Sequence, residues 1–396
     1  MKKSTSIALV ITLLDAMGIG LIMPVLPTLL REFITTENIA NHFGVLLALY
    51  ALMQVIFAPW LGKMSDRFGR RPILLLSLIG ASLDYLLLAF SSALWMLYLG
   101  RLLSGITGAT GAVAASVIAD TTSASERVKW FGRLGASFGV GLIAGPIIGG
   151  FAGSISAHSP FFIAAFLNIV TFFVVMSVFG ETRKITESTD IDTAVKQKSN
   201  SVYITLIKSM PILLIIYFSA QLIGQIPATV WVLFTENRFA WNSMMVGFSL
   251  AGLGCLHALF QAFVAGRIAS IWGEKTAIIV GFVADSSAFA LLAIISEGWL
   301  VFPILILLAA GGIALPALQG LMSVQVNSQQ QGALQGLLVS LTNATGVIGP
   351  VLFALIYNHT LAIWDGWVWI IGLICYLVVV LLSVIFMFNP QKLLSE

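Results

Sequence analysis

Charge is what this sequence has least of. Asp, Glu, Lys and Arg make up 9% of its 396 residues, against 59% hydrophobic residues and a mean hydropathy of +1.00. A water-soluble fold cannot cover that much apolar surface with so few charges, so the class is a membrane protein. A net charge of +3 leaves no electrostatic footprint for nucleic acid. Cysteine is nearly absent. Cys255 and Cys375 both lie in apolar runs, which argues against a disulfide framework or a thiolate metal site. The four histidines, His42, His158, His257 and His359, are too scattered for a metal cluster. No nucleophile–base pair stands out in the apolar segments, so an enzyme is not expected. The apolar run after Met1, Lys2 and Lys3 is too long for a secretory signal, contains Asp15 and ends at Pro24 and Pro27. It reads as an uncleaved first span.

A span needs about 20 mostly apolar residues. Breaking the apolar runs at charge, proline and polar clusters predicts an all-α membrane protein. Its twelve spans lie near 7–30, 43–62, 72–91, 95–119, 132–153, 160–180, 211–234, 244–266, 276–296, 299–320, 332–357 and 366–388. The polar run 327–331 is the one loop available between spans 10 and 11. Two six-helix bundles, 1–180 and 209–396, flank a polar segment at 181–208. That segment reads as a flexible linker, with a regulatory role left open. Seventeen of the 20 lysines and arginines fall on the side of the amino terminus, and only Arg31 and Arg238 on the other. The positive-inside rule then puts both termini and the linker in the cytoplasm.

The two halves repeat each other. Gly62, Lys63, Met64, Ser65, Asp66, Arg67, Phe68, Gly69, Arg70 and Arg71 leave span 2, and the same glycine spacing recurs from Gly266 to Lys275, 204 residues later. Gly145-Pro146 recurs as Gly349-Pro350 at the same offset, and Gly80 with Asp84 match Gly281 with Asp285. Internal duplication of this kind marks secondary transporters, whose halves rock about a site near the midplane. In the repeated segment Asp66, set near a helix start, is placed to accept backbone N–H groups and pair with a guanidinium. Topology needs only the basic residues there, so the shared glycine frame favours a gate made of Gly62, Ser65, Asp66, Gly69, Arg70 and Arg71. In span 5, Gly141, Gly145 and Gly149 recur every four residues and Pro146 is placed to kink the helix, a pattern for close helix packing.

Five ionisable residues stand inside spans: Asp15, Asp84, Arg101, His257 and Asp285. A carboxylate at the bilayer centre costs at least about 2.5–3.5 kcal/mol. Spans 3 and 4 turn near residues 92–93, which puts Asp84 and Arg101 at one depth, roughly 12–13 Å from the turn at 1.5 Å per residue. They are expected to form an intramembrane ion pair, whose role is as open to a structural reading as to a functional one. His257 and Asp285 also share a depth, and no lysine or arginine lies in spans 8 or 9. A carboxylate without a counter-ion in low dielectric exchanges protons readily. Asp285 is therefore the first candidate for a proton and cation site, Asp15 the second. A static hydrogen bond between His257 and Asp285 is the bland alternative. Gln54, Gln221, Gln225, Gln261, Asn168, Gln319 and Asn343 are further polar groups within spans, some of them merely bridging helices.

The segment 62–71, its copy, and the stretch from Gly141 to Gly150 resemble the major facilitator superfamily, and within it the drug/proton antiporters. The stretches 13–24, 100–111 and 221–227 are similar to the tetracycline efflux proteins. The resemblance implies the major facilitator fold, with twelve helices in two pseudo-symmetric bundles, in a bacterial inner membrane. It implies export of a monocationic metal–tetracycline complex in exchange for one proton, by alternating access. Mg2+ or another divalent cation is then part of the drug complex, with no metal bound directly by protein and no other cofactor. The partners implied are the tetracycline–Mg2+ chelate, protons and membrane lipid. The resemblance also implies that Gln54, Gln225 and His257 contact substrate together with Asp285, that His257 joins Asp285 and Asp15 in proton coupling, and that acid–arginine contacts at 62–71 hold the outward-facing state. A coupling role for Gly141, Gly145, Pro146 and Gly149 follows from it alone. Two alternatives stay open: a multidrug or other cation/proton antiporter of the same fold, and a non-transporting membrane sensor or scaffold.

Overall fold

The structure is a computed structural model and describes residues 2–35, 38–108, 110–182, 203–327 and 330–388. Most of the expected linker lies outside the described residues, as does part of the polar run at 327–331. Among the described residues, twelve helices are long and apolar enough to cross a membrane: Ser4–Ile22, Ile39–Phe68, Arg70–Ala89, Leu94–Thr121, Lys129–Gly153, Ser159–Val178, Pro211–Phe239, Ser243–Trp272, Glu274–Ile294, Gly298–Val324, Gln331–Leu361 and Trp367–Phe386. Numbered 1 to 12 in that order, they match the expected spans one for one. No strand occurs among the described residues. Only helices and closed barrels satisfy their own backbone groups in hydrocarbon, and these spans are helical. Their polarity runs inside out relative to water-soluble proteins. Phe166, Ile374 and Leu381 are exposed, while Asp84, Arg101, Asn168, Ser249 and Thr345 are buried.

Several boundaries differ from expectation. Span 2 continues as helix to Phe68, so Gly62 is helical and the connection to span 3 is Gly69 alone. Span 9 likewise starts directly after Gly273. Both glycines have positive φ, 102° and 81°, which a side chain would resist. Among the described residues, four spans are interrupted by non-helical residues, and span 8 passes through a π-helical stretch at Phe260–Ala265. Span 1 turns at 23–25 between Lys2–Ile22 and Leu26–Leu30. Span 4 breaks at Gly108 between Leu94–Thr107 and Thr110–Thr121. Span 7 breaks at Gly224 between Pro211–Ile223 and Gln225–Phe239. Span 10 breaks at Gly312 and Ile313 between Val301–Gly311 and Ala314–Val324. Span 5 runs as one helix, Ala124–Gly153, through Pro146.

The chain packs as two compact units, Met1–Thr186 with Val232–Gly254, and Glu187–Trp231 with Cys255–Glu396. In the first, Ala8, Ile11, Leu61, Leu74, Leu78, Val113, Val117 and Phe179 form a buried cluster drawn from spans 1, 2, 3 and 4 and the end of span 6. In the second, an aromatic cluster forms around Phe289, with ring centres 5.2 Å from both Trp369 and Tyr376.

Candidate functional site

Each unit gathers its chemistry at a broken helix. The breaks at Gly108 and Gly312 are 204 residues apart, the offset of the internal repeat. A break frees backbone carbonyls that a continuous helix would use, and glycine-interrupted spans in matching positions of two halves point to a binding site.

In the first unit, the Gln54 amide donates to the Gly108 carbonyl and to the Tyr50 hydroxyl, both at 3.2 Å. Thr110, at the start of the second helical piece, hydrogen-bonds Asp15. Arg101 and Asp84 form the expected ion pair, with Asp84 fully buried and Arg101 nearly so. Ser104 also bonds the Asp84 carboxylate, and Arg101 lies over the Tyr50 ring at 5.7 Å. Asp15, Tyr50, Tyr85, Arg101, Ser104 and Asn168 line a cavity of about 20 Å³. That is room for about one water and far too small for a drug. It places Asp15 one small molecule from the Asp84–Arg101 pair.

In the second unit, span 10 breaks between two candidates. A Cβ added at Gly311 would overlap the Asp285 carboxylate, and one at Gly312 would come within 2.8 Å of the His257 ring. The His257 Nε2 meets the Leu308 carbonyl at 3.1 Å, and Asp285 hydrogen-bonds the Tyr376 hydroxyl. In place of a static His257–Asp285 bond the two residues have separate partners, Leu308 of span 10 for His257 and Tyr376 of span 12 for Asp285. Among the described residues no arginine pairs with Asp285. The residue 204 positions after Arg101 is Leu305, which is buried. Gln225, first residue after the span 7 break, packs its side chain against Gly349 of the Gly349-Pro350 motif. Gln221, Gln319 and Thr342 converge on the Tyr217 hydroxyl at 3.0–3.1 Å and satisfy one another. Asn168 donates to the Ala164 carbonyl of its own helix at 2.9 Å. Gln261 and Asn343 are exposed.

The segment 62–71 is a charge lock rather than a loop. Asp66 sits at the end of span 2 and not at a helix start, so it does not cap span 3. Glu181 does: its carboxylate accepts from the backbone N–H groups of Arg70 at 2.9 Å and Arg71 at 3.1 Å. Arg70 is buried and reaches Asp66 at 2.7 Å, Asp120 of span 4 at 2.8 Å and the Ser65 hydroxyl at 3.1 Å. Arg71 donates to the Met176 carbonyl of span 6. The lock thus spans the ends of spans 2, 3, 4 and 6. Asp120 and Glu181 are members that sequence reasoning missed, though both are acids at the span ends on the side of this segment.

Span 5 lies on span 1 backbone to backbone. A Cβ on Gly141, Gly145 or Gly149 would run into the carbonyl oxygens of Leu13, Met17 and Leu21 respectively. Both sets step by four residues, one ridge on each helix. Gly20 packs on Pro146, where a Cβ would sit 2.7 Å from its ring. Among the described residues no group of three or more His, Cys, Asp or Glu is placed to hold a metal ion.

A family model described as Major Facilitator Superfamily matches residues 8–284. The chain is 83% identical over 391 residues to the tetracycline resistance protein, class B, of Escherichia coli, covering 99% of this chain and 98% of that one. It is 64% identical to the class D protein of Salmonella ordonez, over 95% of each. Among solved structures, the nucleoside transporter NupG superposes with a TM-score of 0.76 at 15% identity, over 99% of both chains. That last likeness is one of fold alone.

Proposed function

Because this chain belongs to the major facilitator superfamily, we propose that it is a tetracycline exporter, exchanging a monocationic metal–tetracycline chelate for a proton across a bacterial inner membrane. The observation that carries the reading is 83% identity over 99% of the chain to a protein named for tetracycline resistance. Asp285 supports the chemistry: a carboxylate inside a span, with a tyrosine for partner and a leucine where the other half carries arginine. Such a group has two ways to shed its charge, binding a proton or binding a cationic chelate, and it cannot do both. Competition of that kind is all that one-for-one exchange requires. Asp15 serves in the same way beside the Gly108 break, and Gln54, Gln225 and His257 supply neutral hydrogen-bonding groups to the oxygen-rich drug. Mg2+ enters as part of the cargo. The Asp66–Arg70–Asp120 lock gates the cytoplasmic end under alternating access, with both termini in the cytoplasm.

Uptake of labelled tetracycline into everted vesicles under an imposed pH gradient tests this. The wild-type chain accumulates drug with Mg2+ and falls to background when the divalent cation is chelated. Asp285→Asn inserts at normal levels and shows background uptake under both conditions. Failure of the wild type to accumulate drug rejects the reading, cation-independent uptake rejects the chelate, and wild-type transport by Asp285→Asn removes that residue from coupling.

A further inference from the structure

The ends of the spans opposite the termini carry a second charge lock. Arg31, just after span 1, meets Glu236 near the end of span 7 at 2.6 Å, 205 residues away in sequence. Glu236 has only 9% of its side chain exposed, Arg31 37%. Next to Arg31, Glu32 meets His158 at the head of span 6 at 3.0 Å, which ties this turn to its own half of the chain. Span 7 then turns into span 8 through Ala240, whose φ of 52° makes it the one non-glycine residue with positive φ among the described residues. Asn242 ends the turn by accepting from the Met245 backbone N–H at 2.9 Å. Below it, spans 5 and 8 touch through backbone: a Cβ on Gly150 would lie 3.1 Å from the Met244 Cα and 3.2 Å from the Gly247 Cα. All these residues belong to the first compact unit. A cleft of about 490 Å³ lined by Arg31, Ser154, Glu236, Trp241 and Ser243 opens beside the pair.

We infer that Arg31 and Glu236 are gating residues of the transport cycle, a latch that holds the outer ends of spans 1 and 7 together and must break before cargo leaves. The place of this latch in the cycle rests on the export reading above. A carboxylate shielded to this degree is tolerated because the guanidinium sits on it, and without that cation it carries an uncompensated cost. Separation of the outer ends returns Glu236 to water and removes the cost. Loss of Arg31 therefore disfavours the latched arrangement and leaves the open one untouched. Neutralising Glu236 removes the attraction itself, with the same direction. The positive φ at Ala240 adds local strain that opening of the turn can release. The two acid–arginine locks then stand at opposite ends of the spans, Arg70 at one and Arg31 at the other.

The test is access to Ser243, which is 8% exposed under the latch. Ser243→Cys is placed in a chain carrying Cys255→Ser and Cys375→Ser, and intact cells are treated with a membrane-impermeant maleimide. Arg31→Gln and Glu236→Gln should each raise the labelling rate about tenfold, the effect of losing a charge-assisted bond of ordinary strength. The charge-swapped Arg31→Glu/Glu236→Arg chain should return to within about twofold of the parent. The inference is overturned if both single variants label at the parent rate, or if the swapped chain labels as fast as the singles. Arg31 lies on an exposed turn, so Arg31→Gln decides the matter should Glu236→Gln not reach the membrane. Labelling needs no substrate, so its failure is separate from any failure of tetracycline uptake measured on the same cells.

Discussion

Gly69 and Gly62 share one motif and have opposite reasons to be glycine. Gly69 turns the chain between two helices at φ 102° and ψ 165°, and the Glu181 carboxylate lies where its Cβ would be. Gly62 is inside a helix with nothing within 4 Å of an added Cβ. Gly69→Ala should therefore lose at least about 2 kcal/mol, from backbone strain plus displacement of the cap on span 3. Gly62→Ala should gain about 0.5–1 kcal/mol from helix propensity. Thermal unfolding of the detergent-solubilised protein checks both, and equal shifts would refute the distinction. The acids around Arg70 show where residue-level reading runs out. Asp66 and Arg70 are four apart and legible as a pair. Asp120 and Glu181 are 50 and 111 residues away from Arg70, and only the folded chain makes them its neighbours. Asp84 and Arg101 were legible because a hairpin fixes depth. Depth alone gave no way to see that Tyr376 bonds Asp285 or that Leu308 bonds His257, since those partners lie in spans 12 and 10.

At the scale of the element, the small-residue stripe of span 5 reads correctly as a packing face, and the structure adds what it packs on. Each of its three glycines faces a carbonyl of span 1, so the obstacle to a side chain is rigid backbone. At Gly145 a Cβ would also lie 2.9 Å from the Leu21 nitrogen. Gly145→Ala must push the two helices apart, an overpacking cost of about 1–3 kcal/mol, and should cut drug uptake along with thermal stability. Gly139→Ala, on the same helix with nothing within 4 Å, should leave uptake unchanged and, like Gly62→Ala, gain about 0.5–1 kcal/mol of stability. If Gly145→Ala behaved like Gly139→Ala, the close approach of spans 1 and 5 would be of no consequence. The breaks in spans 4 and 10 were harder to read. Span 4 carries glycine at 100, 105, 108 and 111, and hydropathy does not tell which of them interrupts the helix. The offset of 204 between Gly108 and Gly312 is a usable signal only once both breaks are seen. Gly62 misled in the other direction, since glycine next to charge reads as a loop and the helix passes through it.

For the whole molecule, hydropathy and the lysine–arginine bias are enough to count the spans, because twenty apolar residues in a row have few other fates. The fold is that of the major facilitator superfamily, a multi-pass membrane protein. Cargo is a matter of particular side chains, and here it enters through relatives. The proposed exchange nonetheless has a consequence that belongs to no single residue. A monocation moving out as one proton moves in transfers no net charge. Moving one charge through 100 mV is worth about 2.3 kcal/mol, so an electrogenic carrier moving one extra charge would hold about a fiftyfold gradient on potential alone. The electroneutral carrier holds none. A pH difference of one unit supplies about 1.4 kcal/mol per proton and should sustain about a tenfold gradient of the chelate. Everted vesicles clamped at zero pH difference, with a potassium diffusion potential of about 100 mV, should therefore show no drug accumulation. The same vesicles with a one-unit pH gradient and the potential collapsed should approach tenfold. Accumulation under potential alone would mean that more than one proton returns per chelate. It would mean that Asp15 and Asp285, the two carboxylates placed to take a proton, each return one per chelate, and Asp15→Asn should then restore electroneutral exchange.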